Sequence, residues 1–101
     1  MGDGKTVIAA TAIAELRQPT ILVGTKRIVQ HTWPEELSKW DHLNNLTYAA
    51  AVGAKRKREA AVAENPDILG VSYENLQWLL TNGLARGRTL LVFDEISKMK
   101  S

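Results

Sequence analysis

The sequence predicts an α/β fold, with a parallel sheet covered by helices on both faces in a three-layer arrangement. Short, continuously apolar runs are typical of buried parallel strands, and here they alternate with stretches of helical periodicity. Each strand–helix unit spans about 20–30 residues, which leaves room for right-handed crossovers that place helices on both sides of the sheet. The 101 residues allow one domain at most, over 1–101.

The individual elements follow from periodicity and from the residues that interrupt it. Apolar side chains recur at helical spacing over 5–16, and Pro19 ends that helix. The next helix is expected to begin with a capping box of Thr32 and Glu35, with Pro34 in the first turn, where proline is tolerated. In chain order we predict a helix at 5–16, a strand at 20–24, a turn at 26–31, a helix at 33–40, a strand at 46–52, a helix at 54–64, a strand at 68–72, a helix at 74–81 and a strand at 89–93.

Two short strings at opposite ends of this pattern are typical of a site for a Mg-nucleotide. The string GDGKT at 2–6 matches the end of a phosphate-binding loop. In such a loop Gly2 and Gly4 would let backbone N–H groups approach the phosphates of ATP at the start of a helix. The last apolar run leads directly into Asp94 and Glu95. Because ligands of parallel sheets bind at the carboxyl ends of the strands, we expect the two strings to meet there.

The residue types fit the chemistry of nucleotide hydrolysis. Lys5 would reach the β- and γ-phosphates as a point charge, and the Thr6 hydroxyl would ligate Mg²⁺. Asp94 would hold the same ion through water, because Mg²⁺ keeps several waters and favours few carboxylates. Glu95 would orient or deprotonate the attacking water as a general base. The catalytic candidates are therefore Lys5 and Glu95, and the metal-binding candidates are Thr6 and Asp94.

Each string also has a plainer interpretation. GDGKT alone could be an ordinary helix-capping turn, and an acidic pair after a strand is often a solvated turn. The full loop signature has a further glycine that would fall before Met1, and the strand that should feed the loop is absent from these residues. Asp3 also adds a carboxylate to a loop that should bind anions. The occurrence of both strings at the expected ends of the pattern favours the nucleotide site.

Four segments, in this order, carry a family resemblance: MGDGKTVIAATAIAEL, ILVGTKRIVQHTWPEELSKW, ILGVSYENLQWLL and LLVFDEISKMKS. The first is similar to the phosphate-binding motif, and the last to the acidic motif, of superfamily-two helicases and translocases. Ser97 stands where that acidic motif usually has a histidine. The strings DEIS, TWPEE and YENLQWL within these segments most resemble the phage-encoded members of the Swi/Snf-like branch. The resemblance covers essentially the whole chain.

The resemblance implies a RecA-like P-loop NTPase lobe that binds ATP against a second RecA-like lobe, with DNA running across both. Only part of this first lobe, the N-terminal helicase ATP-binding domain, matches. Two central strands of the family's sheet and the whole second lobe, with its arginine finger, have no counterpart in the chain. The resemblance also implies contacts to the backbone of duplex DNA by Thr25, Lys26, Arg27, Ser72 and Tyr73. Hydroxyl and basic side chains at strand ends suit such contacts, although Lys26 and Arg27 could equally start a solvated helix.

Composition limits the other possibilities. The net charge of +2 gives no overall basic surface, so any contact with nucleic acid must be local. The absence of cysteine excludes disulfides and thiolate metal sites and fits a reducing compartment. Together with the resemblance to phage-encoded proteins, this implies a cytoplasmic location in a prokaryote or a phage-infected host. The apolar runs fall far short of a membrane span, so no membrane partner is expected.

The remaining conspicuous side chains have mainly structural interpretations. The basic run KRKR at 55–58 is either an exposed helix face beside Glu59, which we favour, or a nucleic-acid contact. His31 and His42 lack partners at metal-ligand spacing and are expected at the surface. The three tryptophans are expected to pack helices against the sheet: Trp33, Trp40 and Trp78.

The expected function is that of the ATP-binding portion of a DNA-dependent ATPase, a helicase or translocase, inactive by itself. One alternative is a small P-loop phosphotransferase, which would need an acceptor site and a lid. The other is a non-catalytic fragment or interaction module. In that case an exposed sheet edge would favour self-association of the chain.

Overall fold

The computed structural model describes residues 3–43 and 45–94, with the backbone alone for residues 3–7. Within these residues a π-helical segment, Ile28–Thr32, runs directly into the second α-helix, and a short 3-10 turn, Asp41–Leu43, follows that helix. The other elements, in chain order, are α1 (Asp3–Leu16), β1 (Thr20–Gly24), α2 (Trp33–Lys39), β2 (Tyr48–Ala50), α3 (Lys55–Ala63), β3 (Ile68–Ser72), α4 (Tyr73–Thr81) and β4 (Leu90–Asp94).

The four strands of the described chain form one parallel sheet in the order β2-β3-β1-β4. This confirms the prediction of an α/β fold with a parallel sheet. The central strands β1 and β3 are buried along their whole length, as their continuously apolar sequences indicate. By contrast, β4 lies at an edge and alternates between half-buried and exposed residues.

Helices cover both faces of the sheet. On one face α1 and α2 pack over Leu22 and Ile68, and on the other α3 and α4 pack over Val23 and Leu69. Because neighbouring residues of a strand point to opposite faces, each buried strand contributes side chains to the hydrophobic core on both faces of the sheet. None of the helices in the described residues has the length and apolar character needed to cross a membrane.

The end of α1 shows how the chain turns into the sheet. Arg17 follows the helix in a left-handed conformation with φ of 52°, and its N–H bonds to the Ile13 carbonyl at 3.0 Å. This is a common way to end a helix, and Pro19 prevents the helix from continuing. The connection of 17–19 is short and α1 packs over Leu22 of β1, and a helix that lies over the strand it leads into after so short a connection runs antiparallel to that strand. The first turn of α1 therefore lies towards the carboxyl ends of the strands.

Several predicted boundaries were wrong. The first helix begins at Asp3 rather than at Lys5, and β2 has three residues rather than seven. The turn predicted at 26–31 is helical over its whole length. The capping box is also wrong, because Thr32 has helical φ and ψ of −64° and −49° and makes no side-chain cap bond. The π-helical segment continues into α2, so no free helix start exists at Thr32 for a side chain to cap.

Candidate functional site

The carboxyl edge of the sheet brings three of the predicted segments together. Gly24, the last residue of β1, pairs in register with Ser72 of β3 on one side and with Asp94 of β4 on the other. A Cβ atom on Gly24 would lie 3.0 Å from the Asp94 carbonyl oxygen, so the two chains approach closely here. Thr25 and Tyr73 follow directly after these strand ends. Residues that are far apart in the sequence thus share one row at the edge where α1 also begins.

The phosphate-binding candidates lie partly within the described backbone. Gly4, Lys5 and Thr6 belong to the first turn of α1, and the start of a helix presents backbone N–H groups that favour an anion. Gly2 and Glu95 lie outside the described residues. The roles of these five residues towards ATP therefore stay predictions.

Asp94 is fixed by a side chain whose role the sequence did not reveal. The indole Nε1 of Trp33 donates a hydrogen bond to Oδ2 of Asp94 at 2.6 Å. Trp33 is fully buried at the start of α2, and Asp94 is half-buried at the end of β4. Asp94 supplies a carboxylate oxygen at a strand end, the type of ligand that Mg²⁺ prefers. In the described residues no group of three or more histidines, cysteines or carboxylates could form a protein-only metal site.

Tyr48 is a second residue near the site that sequence patterns did not single out. Its hydroxyl donates to the backbone carbonyl of Val29, in the π-helical segment, at 2.6 Å. Burial raises the pKa of the Tyr48 phenol above its ordinary value of 10.0, and the negative charge of Asp94 raises this pKa further. The side chain crosses β3 at Gly70, where a Cβ atom would collide with the phenol oxygen and the Val29 side chain. Only glycine leaves this path open.

The first group of DNA-contact candidates is exposed at the end of β1. Thr25, Lys26 and Arg27 all face solvent. The Thr25 hydroxyl accepts a hydrogen bond from the Ile28 backbone N–H at 3.3 Å, which stabilises the start of the helical segment. The side chains of Lys26 and Arg27 thus project from an ordered turn beside the strand end, in positions that a phosphate backbone could reach.

Ser72 and Tyr73, the second group of DNA-contact candidates, have different surroundings. Ser72 is only 5% exposed, and its hydroxyl accepts from the Asn75 backbone N–H at 3.3 Å, so it caps α4. The Asn75 side-chain amide donates to the same oxygen at 3.1 Å. Tyr73 is exposed and stacks on Phe93 of β4 with ring centroids 6.4 Å apart. Of the two predicted contacts, Tyr73 is the one that the fold presents to solvent.

The residues of the basic run at 55–58 also differ in their contacts. Arg58 donates to the Gly53 carbonyl at 2.7 Å and lies over the Trp78 ring at 4.5 Å from its centroid, which joins α3 to α4. Lys55 lies 4.0 Å from Glu59 in an exposed ion pair of the kind that contributes little. The exposed residues of 55–57 begin α3 just after β2, and so lie towards the carboxyl edge.

A cavity among the described residues lies elsewhere, at the opposite edge of the sheet. It has a volume of about 510 Å³ and is lined by residues of the amino edge, including Pro19, His42 and Asp67. His42 is exposed and shares a hydrogen bond of 2.8 Å with the Thr11 hydroxyl. His31 is exposed as well, so both histidines lie at the surface as predicted. The candidate nucleotide residues do not line this cavity.

Comparison with known proteins identifies a relative encoded by a phage. The chain is 33% identical to protein p41 of Acyrthosiphon pisum secondary endosymbiont phage 1, over 112 aligned positions. The alignment takes in 100% of this chain and 24% of the relative, so the chain spans about a quarter of that protein's length. No protein-family model matches the chain. The name of the relative states no activity.

Proposed function

We propose that the chain is the ATP-binding portion of a DNA-dependent ATPase, a Swi/Snf-like superfamily-two helicase or translocase. In this proposal Gly2, Gly4, Lys5 and Thr6 bind the phosphates and Mg²⁺, while Asp94 and Glu95 serve the ion and the attacking water. Mg²⁺, when bound, would neutralise charge on the transferred phosphoryl group. The activity would belong to the cytoplasm of a prokaryote or of a phage-infected host.

One observation carries the proposal. The strand ends that bear the acidic residue and the exposed DNA-contact candidates lie in a single row, because Gly24 is in register with both Ser72 and Asp94. The first turn of α1 lies towards the same edge. A triphosphate and a DNA backbone are both polyanions, and this edge offers a helix start together with Lys26 and Arg27.

The edge position of β4 adds support. In the family that the sequence resembles, further strands lie beyond the strand that carries the acidic pair. Within the described residues β4 pairs with β1 alone, and Leu91 and Phe93 are 52% and 53% exposed. Apolar side chains of this size are more typical of a strand that is covered on both faces. The relative of about fourfold greater length is large enough to hold such strands and a second lobe.

The isolated chain is expected to bind ATP and to hydrolyse it slowly or not at all. Phosphoryl transfer needs cationic groups that stabilise charge in the transition state, and an arginine finger can contribute roughly 10³- to 10⁵-fold in kcat. In the proposed parent this arginine comes from the second lobe. Turnover by the isolated chain at the rate of a complete motor would contradict the proposal.

The DNA part of the proposal is tested by the salt dependence of duplex binding. Removing one cation that pairs with a DNA phosphate should lower the slope of log affinity against log salt by about 0.9. We therefore expect Lys26→Ala with Arg27→Ala to reduce the slope by about 1.8, for duplexes of any sequence. The double variant Arg17→Ala with Lys39→Ala, which removes the same charge from exposed positions away from the strand ends, is the control.

The outcomes separate the proposal from its rivals. An unchanged slope in the first double variant, or an equal change in both, would contradict the contact that we propose. Phosphoryl transfer from ATP to a small acceptor, without response to DNA, would favour a phosphotransferase. Absence of both ATP and DNA binding in a folded chain would favour a non-catalytic interaction module.

A further inference from the structure

The hydrogen bond between Trp33 and Asp94 joins two parts of the chain that the proposed function uses separately. Trp33 begins α2, whereas Asp94 ends β4, 61 residues later in the sequence. The indole ring is fully buried among Leu22, Leu37 and Leu43. Its position is therefore set by packing, and the N–H group points at the carboxylate from a rigid support.

The bond is of a kind that orients its acceptor. An N–H donor to a carboxylate at 2.6 Å is short, as charge-assisted hydrogen bonds are. An indole can only donate, so it fixes which way the carboxylate turns and does not compete as a ligand. Ligands of metal ions are commonly held by such partners, and removal of a partner typically weakens metal binding roughly 10- to 100-fold.

We propose that Trp33 is a positioning residue, which holds the Asp94 carboxylate in the orientation that Mg²⁺ requires in the nucleotide site. The inference rests on the proposed function, because it assigns a role within the same Mg-ATP site. It adds a residue that acts through Asp94 and touches neither phosphate nor metal.

The segment that precedes Trp33 in the chain connects this hydrogen bond to the exposed turn at 25–27. The π-helical segment that ends at Thr32 starts just after Arg27, so Trp33 is continuous with the exposed turn that would contact DNA. The Tyr48 hydroxyl holds the middle of the segment through the Val29 carbonyl at 2.6 Å. The exposed turn and the residue that orients Asp94 are therefore joined by an ordered, hydrogen-bonded helical segment.

The test compares two tryptophans that make the same type of bond. Trp33→Phe removes the indole donor but keeps most of the buried ring. Trp40→Phe is the matched control, since Trp40 Nε1 donates to Oε1 of Glu36 at 3.1 Å on the exposed side of α2. For each variant and the wild-type chain, the affinity for ATP is measured once with Mg²⁺ and once with a chelator in its place.

The expected result is a selective effect on the metal-dependent part of binding. In Trp33→Phe the part of the affinity that depends on Mg²⁺ should fall roughly 10- to 100-fold, while Mg-free ATP binds as in the wild type. Trp40→Phe should leave both affinities unchanged. An equal decrease in the affinities with and without Mg²⁺ would mean that Trp33 only supports the fold. That result, or two affinities that both equal those of the wild type, would overturn the inference. If the wild-type chain binds no ATP under either condition, the proposed function itself fails and the inference falls with it.

A measurement on the wild-type chain covers the case in which Trp33→Phe does not fold. The three indole N–H groups give three signals in a ¹H–¹⁵N correlation spectrum, and Trp40→Phe and Trp78→Phe identify the other two. Adding Mg²⁺ to the ATP-loaded chain should shift the Trp33 signal and leave the Trp40 signal in place. Asp94→Asn should move the Trp33 signal without any ligand. If Mg-ATP binds but the Trp33 signal shifts neither on addition of Mg²⁺ nor in Asp94→Asn, the inference is contradicted.

Discussion

Gly70 and Tyr48 depend on each other at the centre of the sheet. Replacement of Gly70 by alanine would place a Cβ atom against the Tyr48 oxygen and 2.7 Å from Cγ1 of Val29. Overpacking of this kind costs about 1–3 kcal/mol, so we expect Gly70→Ala to lower the free energy of unfolding by that amount. Urea unfolding of the purified variant measures it.

A double-mutant cycle identifies the cause. Tyr48→Phe alone removes the bond to the Val29 carbonyl and should cost about 1–3 kcal/mol, because a buried acceptor is left without its partner. In the Gly70→Ala background the same change also removes the closest collision, so its cost should be smaller. Strictly additive effects would show that the two residues do not interfere.

The same phenol predicts a decrease in stability at high pH. Burial, with a contribution from the charge of Asp94, raises the pKa of Tyr48 in the folded state above its ordinary value of 10.0. The unfolded chain therefore ionises first, and the stability that is present below pH 10 declines as the pH rises towards the folded pKa. At pH 11 the decrease from this group should be about 1.4 kcal/mol relative to neutral pH. Urea unfolding at pH 8 and pH 11 should show a smaller pH effect in Tyr48→Phe, and equal effects would refute this.

Single residues show where sequence interpretation ends. Asp94 could be chosen as a site residue because it follows an apolar strand, which is a local pattern. Trp33 was expected in the core, and its burial confirms this, but its partner lies 61 residues away on another strand. A buried indole N–H normally has an acceptor, so the sequence indicates that one exists, while only the sheet order shows which residue it is.

Among the elements, α4 offers a direct test of local structure. Ser72 caps this helix, and replacement of a capping serine by alanine typically costs about 1 kcal/mol. We expect Ser72→Ala to destabilise the chain by that amount in urea unfolding. Ser38→Ala is the control, because the Ser38 hydroxyl only donates to the Glu35 carbonyl within α2 on an exposed face. A similar cost for both would argue against a capping role.

The accuracy of the predicted elements varies with how local their causes are. The bounds of β1 and β3 are confirmed, because both strands are buried along their length and show it as continuous apolar runs. The π-helical segment was wrongly predicted as a turn, and one of the bonds that hold it in place comes from a distant strand. The Trp33 backbone N–H bonds to Ile28, five residues back, while the Val29 carbonyl receives the Tyr48 hydroxyl. No local pattern contains that phenol.

At the scale of the whole molecule, the edge strand β4 predicts self-association. Leu91 and Phe93 are about half exposed, and an edge strand offers unpaired backbone groups to another chain. We expect the isolated chain to show a mass that rises with concentration in sedimentation equilibrium. Leu91→Lys with Phe93→Lys should abolish this rise.

The control for this experiment is Leu80→Lys, because Leu80 is 57% exposed but lies on α4 rather than on a sheet edge. It should leave the association unchanged. A monomer at all concentrations, or equal effects of the two sets of substitutions, would contradict an edge-mediated contact.

The architecture as a whole was more predictable than its details. Alternating strands and helices favour a parallel sheet with both faces covered, and these rules are general. The order β2-β3-β1-β4 does not follow from them, because short strands of similar composition can be arranged in several ways. That order decides which strand ends meet. The type of candidate site could therefore be predicted from the sequence, whereas the contacts between its residues could not.

Thermal unfolding with and without Mg-ATP tests the central claim most directly. Ligand at about 100 times its dissociation constant should stabilise the folded chain by roughly 2.7 kcal/mol. We expect this stabilisation in the wild type and in Lys39→Ala, which removes an exposed lysine at the far end of α2, and we expect it to be absent in Lys5→Ala. A cooperative transition that Mg-ATP does not shift in the wild type, or shifts equally in Lys5→Ala, would contradict the nucleotide site.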